Sequence, residues 1–198
     1  MRPKNTEKEE AIRSIALQII AEQGLENLSM QQLAKAANIS PRTIYIKYEN
    51  KEDLLVKLFI DVVLGAYEKA ALEGFSEDMA FPEGIRKIWA NTFSYFKKNR
   101  HAFVLMEYGK SSPLLNKAFR ERNIKEGSSF GTVHRFLSQK AKEGIIAEYP
   151  QKVYRALLFA PLLDLVHEYF EHRERGRQII TEQQLMACCD TVIKGLQS

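Results

Sequence analysis

The stretch Ser29–Tyr48, SMQQLAKAANISPRTIYIKY, carries the pattern around which the rest of the chain is arranged. Ser29 is a preferred N-cap and Gln32, three residues on, completes a capping box, so a helix is predicted to start at Met30. Leu33, Ala34 and Ala37 fall on one face at helical spacing. Asn38 tolerates the left-handed backbone on which helices often stop. Ser40 then caps a second, short helix, and Pro41 suits its first position, where no intrahelical donor is needed. Ile44 points to the core, leaving Arg42, Thr43, Tyr45 and Lys47 for other work. Two short helices joined by a tight turn, the second with polar and basic groups near its N-terminus, form a helix-turn-helix. That arrangement places side chains in a DNA major groove.

Before this stretch, a helix is predicted from about Thr6 to Gln23, with Ile12, Ile15, Ala16, Ile19 and Ile20 as its apolar stripe and Gly24 as its stop. After it, Asn50 caps a further helix with Glu52 and Asp53 in the first turn, running through Leu54, Leu55, Leu58, Val62 and Val63 towards Tyr67 and Leu72. GFSEDMAF, Gly74–Phe81, is the one linker-like break. Beyond it the pattern stays helical: a helix opened by Pro82, a short piece over Asn99–Lys110, a long helix over 112–143 weakened by Gly127 and Gly131, and two closing helices over 150–174 and 182–196. Pro161 is predicted to kink the first of these, and Thr181 with Gln184 to box the start of the second. The predicted fold class is all-α.

Composition narrows the function. With 45% apolar and 27% charged residues the 198-residue chain reads as a soluble globular protein able to bury a real core. No apolar run reaches the roughly 18 residues of a membrane span, and MRPKNTEKEE has no apolar core of a secretory signal. The only cysteines, Cys188 and Cys189, are neighbours without a disulfide framework or zinc-site partners, which fits a reducing cytoplasm. The net charge of +4 leans only mildly towards an anionic partner. Its distribution is more telling, because Lys35, Arg42 and Lys47 stand without an acid between Lys35 and Tyr48.

Catalytic readings fail on spacing. Gly109–Lys110–Ser111 resembles the end of a phosphate-binding loop, but Val104 stands where the first Gly belongs. His167–Glu168 followed by His172 misses a zinc-protease helix by one residue, which turns the second imidazole roughly 140° away. No metal site or cofactor is expected, and the chain does not read as an enzyme.

Together, residues 12–55 resemble the N-terminal domain of TetR-family (tetracycline-repressor-like) transcription regulators. The resemblance rests on AEQGLENLS at Ala21–Ser29, on LAKAANIS at Leu33–Ser40, and on Tyr45, Lys47–Tyr48 and the Lys51–Glu52–Asp53–Leu54 run, in that order and spacing. Asn38 replaces the family's turn Gly, Arg42 a usually small residue, Lys47 a usual His and Tyr48 a usual Phe. The resemblance implies a three-helix helix-turn-helix DNA-binding domain over residues 6–66 and a larger helical effector-binding and dimerisation domain over 67–198. It further implies a homodimer, built through residues 150–196, that reads a palindromic operator in double-stranded DNA. A repressor released by a small-molecule effector is the leading expectation. An activator or co-ligand-dependent regulator of the same fold, and a helical small-molecule-binding protein without DNA binding, are the alternatives.

The expected DNA-binding residues are Ser29, Gln31, Ser40, Pro41, Arg42, Thr43, Tyr45, Lys47, Tyr48 and Lys51. Arg42 is the candidate for guanine, which its guanidinium can hold through O6 and N7. Tyr45, Lys47 and Lys51 are expected to position the helix on phosphates, Ser29 and Ser40 act first as caps, and Tyr48 reads as core. For a largely apolar effector the candidate lining is Trp89, Phe93, Phe103, Met106, Phe119, Phe130, His134 and Leu162, although such residues at helical spacing serve plain core packing equally.

Overall fold

Local signals set where the helices begin and end, and the computed structural model bears most of them out. It describes residues 3–110, 112–113, 130–177 and 179–197. Helix α1 spans Pro3–Gln23 and stops at Gly24, whose φ of +90° needs a glycine. Helices α2 (Met30–Ala36), α3 (Pro41–Tyr45) and α4 (Lys51–Leu58) follow, each capped as predicted: Ser29 accepts from the Gln32 N–H, Ser40 from Thr43 and Asn50 from Asp53. The α4 helix runs on without a break into a π-helical stretch, Phe59–Tyr67, and then α5, Glu68–Ala71. Leu54, Leu58, Phe59, Val63 and Tyr67 along this run are buried.

The later helices are α6 (Phe81–Lys98), α7 (Arg100–Lys110), α8 (Gly131–Lys142), α9 (Gln151–Tyr154), α10 (Ala160–Glu174) and α11 (Glu182–Leu196). A π-helical stretch at Arg155–Phe159 joins α9 to α10. It lies where Pro161, which has no N–H, denies a carbonyl its usual partner, so the predicted kink takes the form of a widened turn. The Thr181–Gln184 capping box is complete, each side chain bonded to the other's backbone. Of the predicted helix over 112–143, residues 114–129 lie outside the described residues. Among those described, the only extended pairing is an isolated antiparallel bridge between Ile146 and Gln197. The protein is all-α.

The described residues divide into two compact units, one within Met1–Ala66 and Asn99–Glu126, the other within Tyr67–Lys98 and Gly127–Ser198. This departs from a simple cut after residue 66, because α7 packs along α1 in the first unit. Gly109 also lets α7 lie close to the continuation of α4, since a Cβ there would lie 2.0 Å from the Phe59 ring. The first unit's core is Ile12, Ala16, Ile19, Ile20, Leu33, Ile44, Leu54, Leu58, Phe103 and Leu105, all buried. The second unit's core includes Phe81, Ile85, Trp89, Phe96, Phe136, Leu162, Val166 and Ile193, all buried, with the Phe81 and Phe136 rings stacked at 6.3 Å. The Trp89 indole N–H donates to the Leu158 carbonyl at 3.0 Å, and Arg86–Asp190 and Lys97–Glu182 pairs tie α6 to α11.

Candidate nucleic-acid interface

The turn between α2 and α3 is built by backbone bonds that the sequence makes possible. Asn38 takes φ +51°. The Asn38 N–H then bonds the Lys35 carbonyl at 3.2 Å and the Ile39 N–H reaches the Ala34 carbonyl at 3.0 Å, the double bond of a Schellman stop. The predicted capping box at Ser29 is only half formed. Its hydroxyl accepts from the Gln32 N–H at 3.1 Å, but the Gln32 amide donates instead to Gln23 on α1 at 2.8 Å. At the next helix the Ser40 hydroxyl accepts from the Thr43 N–H at 3.3 Å and meets the Thr43 hydroxyl at 2.9 Å. Both hydroxyls are thereby engaged within α3.

Successive residues of α3 turn by about 100°. Ile44 is fully buried and fixes the inward direction. The opposite arc then contains Arg42, with Tyr45 and Ile46 on either side. All three are exposed, Tyr45 to 51% and Ile46 to 76%. Ile46 continues the helix through its N–H to the Arg42 carbonyl at 3.1 Å. Pro41 and, on α2, Gln31 are exposed as well. Arg42 makes no ion pair among the described residues.

Lys47 departs from expectation. It lies on the flank of α3, 21% exposed, with its ammonium on the Glu9 carboxylate of α1. That hydrogen bond is the main cause holding the Glu9 carboxyl below its ordinary range. The Lys47 carbonyl in turn accepts from the Lys57 ammonium at 2.9 Å, which also pairs with Asp53 at 2.8 Å. Tyr48 is 4% exposed, beneath that same ammonium at 5.4 Å from the ring centroid, so it is core and no contact surface. Lys51 is half-buried, with Nζ 3.4 Å from the Glu26 carbonyl, and lines a surface cleft of about 350 Å³ with Leu25, Glu26, Glu52, Leu55 and Tyr108. Glu26 and Glu52 line that cleft with it. Sequence reasoning missed Ile46 and Glu9. The first was legible, since Ile46 lies about 40° from Arg42 on a helical wheel; the second depends on tertiary packing.

The effector candidates are dispersed. Trp89, Phe93 and Leu162 are packed in the core of the second unit. Phe130 stands beside Tyr67, ring centroids 5.2 Å apart, and His134 is half-buried nearby in sequence. Burial drives the Tyr67 hydroxyl up to about 12. Phe103 and Met106 belong to α7 in the first unit, and Phe119 lies outside the described residues. The cleft described above contains none of the candidates.

The catalytic spellings find no support in the geometry. Gly109 and Lys110 are helical, and His172 bonds Glu168 at 3.2 Å on one helix, while no group of three metal-ligating side chains occurs among the described residues. Gly127–Ser128–Ser129–Phe130–Gly131 also fits Gly-x-Ser-x-Gly. A nucleophile elbow needs a strand before it, and Ser129 lies outside the described residues.

Comparison with known proteins agrees with the geometry. Residues 12–58 match the family model described as bacterial regulatory proteins, tetR family. An uncharacterized HTH-type transcriptional regulator of Haemophilus influenzae is 28% identical over 170 residues, 85% of this chain and 86% of that one. The fatty acid metabolism regulator protein of Bacillus subtilis is 30% identical over 92 residues, 46% of this chain and 47% of its own. The crystal structure of a TetR family transcription regulator from Marinobacter aquaeolei superposes with a TM-score of 0.86 at 25% identity, over 100% of both chains. The fold and the exposed helix-turn-helix thus define a DNA-binding transcriptional regulator, and the relatives are regulators rather than enzymes. Residues 12–58 of the chain carry the DNA-binding segment of the tetR family of bacterial regulatory proteins, and the whole chain shares its fold with a TetR family transcription regulator. Among the described residues no helix is long and apolar enough to cross a membrane.

Proposed function

We propose that the protein is a homodimeric repressor, working in the cytoplasm, that binds a palindromic operator and is released by a largely apolar small molecule. The observation that carries this reading is the arc of α3, on which Ile44 is buried and Arg42 stands outward with no ion pair among the described residues. In this reading residues 6–66 hold the DNA and 67–198 serve the effector and the dimer. Arg42 pairs with guanine O6 and N7. Tyr45 and Thr43, with Gln31 and the α2 N-terminus at Ser29, set the register on phosphates. Lys47 supports the helix from behind, and Lys51 adds charge at the edge of the surface.

Dimerisation through residues 150–196 is supported by an exposed row of small and apolar groups on each closing helix. Ala156, Leu157 and Ala160 form one, and Ala187, Thr191 and Gly195 the other. Rows of this kind allow two helix pairs to approach closely as a four-helix bundle. The effector is proposed to enter the aromatic second unit beside Trp89, Phe93, Phe130, His134 and Leu162. Effector binding would favour a dimer whose recognition helices are wrongly spaced for successive major grooves. The partial likeness to a fatty acid metabolism regulator makes a long-chain fatty acid the first probe.

Selection of bound sequences from a random duplex library at near-physiological salt tests the reading. The expected result is a palindromic consensus bound by a species of twice the chain mass, with affinity lowered by the apolar probe. Binding that stays equal for all sequences, or a monomer on a single half-site, would refute it.

A further inference from the structure

Among the described residues Ile46 is the most exposed of the large apolar side chains, at 76%. Isolated exposed apolar residues are ordinary on protein surfaces, but this one has a particular setting. It sits one helical turn after Arg42, its N–H bonded to the Arg42 carbonyl. Tyr45, itself 51% exposed, flanks Arg42 on the other side. On this arc the only charge is Arg42, and nothing on Ile46 can donate to a phosphate or to a base edge. What an apolar group can recognise in a major groove is the 5-methyl of thymine, which adenine, guanine and cytosine lack at that edge.

We infer that Ile46 is a specificity-determining residue, packing against a thymine methyl next to the base held by Arg42 in each half-site. This rests on the reading of α3 as the recognition helix. Arg42 and Ile46 are about one helical rise of 6 Å apart along α3, close to the spacing of two base-pair steps at 3.4 Å. The thymine is therefore placed one to two base pairs from the guanine. Because the contact is apolar, it contributes discrimination without adding to the salt dependence, whereas each phosphate contact adds to it.

The test uses the full chain and a duplex obtained by selection, in which each thymine is replaced singly by deoxyuridine. That change removes the methyl and keeps the base pairing. At one thymine per half-site the wild type should bind the deoxyuridine duplex about fourfold more weakly, the effect of one buried methyl-sized group. Ile46→Ala should bind both duplexes alike, at the weakened level, with an unchanged salt slope and an unchanged melting temperature, since the side chain is solvent-exposed. Ile46→Val should retain part of the discrimination. Sequence-specific binding with no thymine sensitive to methyl removal, or a sensitivity that persists in Ile46→Ala, would overturn the inference and leave the DNA-binding reading standing. Failure of the wild type to prefer any sequence would overturn both.

Discussion

Removing the Lys47 ammonium separates two roles that a basic residue beside a recognition helix can have. In this structure it holds α3 to α1 through Glu9, with side-chain exposures of 21% and 38%. An exposed pair is worth about 0.2–1 kcal/mol, and a charge-assisted hydrogen bond in a less solvated place about 1.5–3 kcal/mol. Exposure of Glu9 places this pair near the lower boundary, at about 1 kcal/mol. A double-mutant cycle with Glu9→Gln and Lys47→Met, read by urea denaturation, should return a coupling of that size. The pH dependence has a fixed sign. Because the Glu9 carboxyl is held below its ordinary value, its contribution is present above the unfolded-state pKa and is lost as pH falls through the folded one. In Lys47→Met this acid-side loss should shrink. Operator binding gives the second readout. A phosphate-bound lysine would lower the log–log salt slope by about 0.9 on removal; the expectation here is a slope changed by much less, with affinity reduced through looser positioning of α3. A coupling near zero together with a slope reduced by about one would refute the argument and return Lys47 to the phosphate backbone.

Arg42→Ala should weaken binding to the selected duplex by about 1–3 kcal/mol and relax preference at one position per half-site, while leaving the urea midpoint unchanged; unchanged operator affinity would remove Arg42 from the reading surface. Gly109→Ala should destabilise the first unit by about 1–3 kcal/mol, because the new Cβ meets the buried Phe59 ring at 2.0 Å and the gain in helix propensity of about 1 kcal/mol offsets only part of it. Phe59→Leu in the same chain should recover some of that loss, as followed by thermal unfolding. At Asn38, with φ +51°, Gly should be neutral or stabilising, whereas Val should cost about 1–2 kcal/mol; equal stability of the two variants would contradict the left-handed stop.

The boundaries of α2, α3, α4 and α11 were legible because caps act over three or four residues. Ser29, Ser40, Asn50 and Thr181 each bond a backbone N–H within their own first turn, and such bonds depend little on the rest of the fold. The partner of Gln32 was not legible in the same way. It chose between Ser29, three residues away, and Gln23, nine residues away, and the approach of α1 decided the outcome. Lys47 likewise met Glu9 across 38 residues. Phe103 and Met106 read as apolar effector candidates by residue type, and their place on α7 in the first unit, where both are buried, was not legible because it depends on tertiary packing. Ile46 was overlooked for the opposite reason. An apolar residue next to a buried Ile44 reads as core until the helical angle is worked out, and only the direction fixed by Ile44 turns it outward.

The charges around α3 explain why residues 1–60 carry nine basic and eight acidic side chains yet can still form a DNA-facing surface. Lys47 is matched by Glu9, Lys57 by Asp53 and Arg13 by Asp61. The first pair ties the end of α3 to α1, the second lies within α4, and the third ties α1 to the π-helical continuation of α4. Arg42 remains outward on an arc otherwise formed by Pro41, Tyr45 and Ile46. A surface of that kind releases few counterions when it meets DNA, and non-specific binding comes almost wholly from counterion release. If Arg42 and the apolar groups beside it read base edges as proposed, those contacts supply a larger share of the total. On the proposed reading, an α3 face of this kind holds arbitrary DNA poorly, and a second copy engaging the neighbouring half-site would raise affinity for the right sequence without raising it for the wrong one.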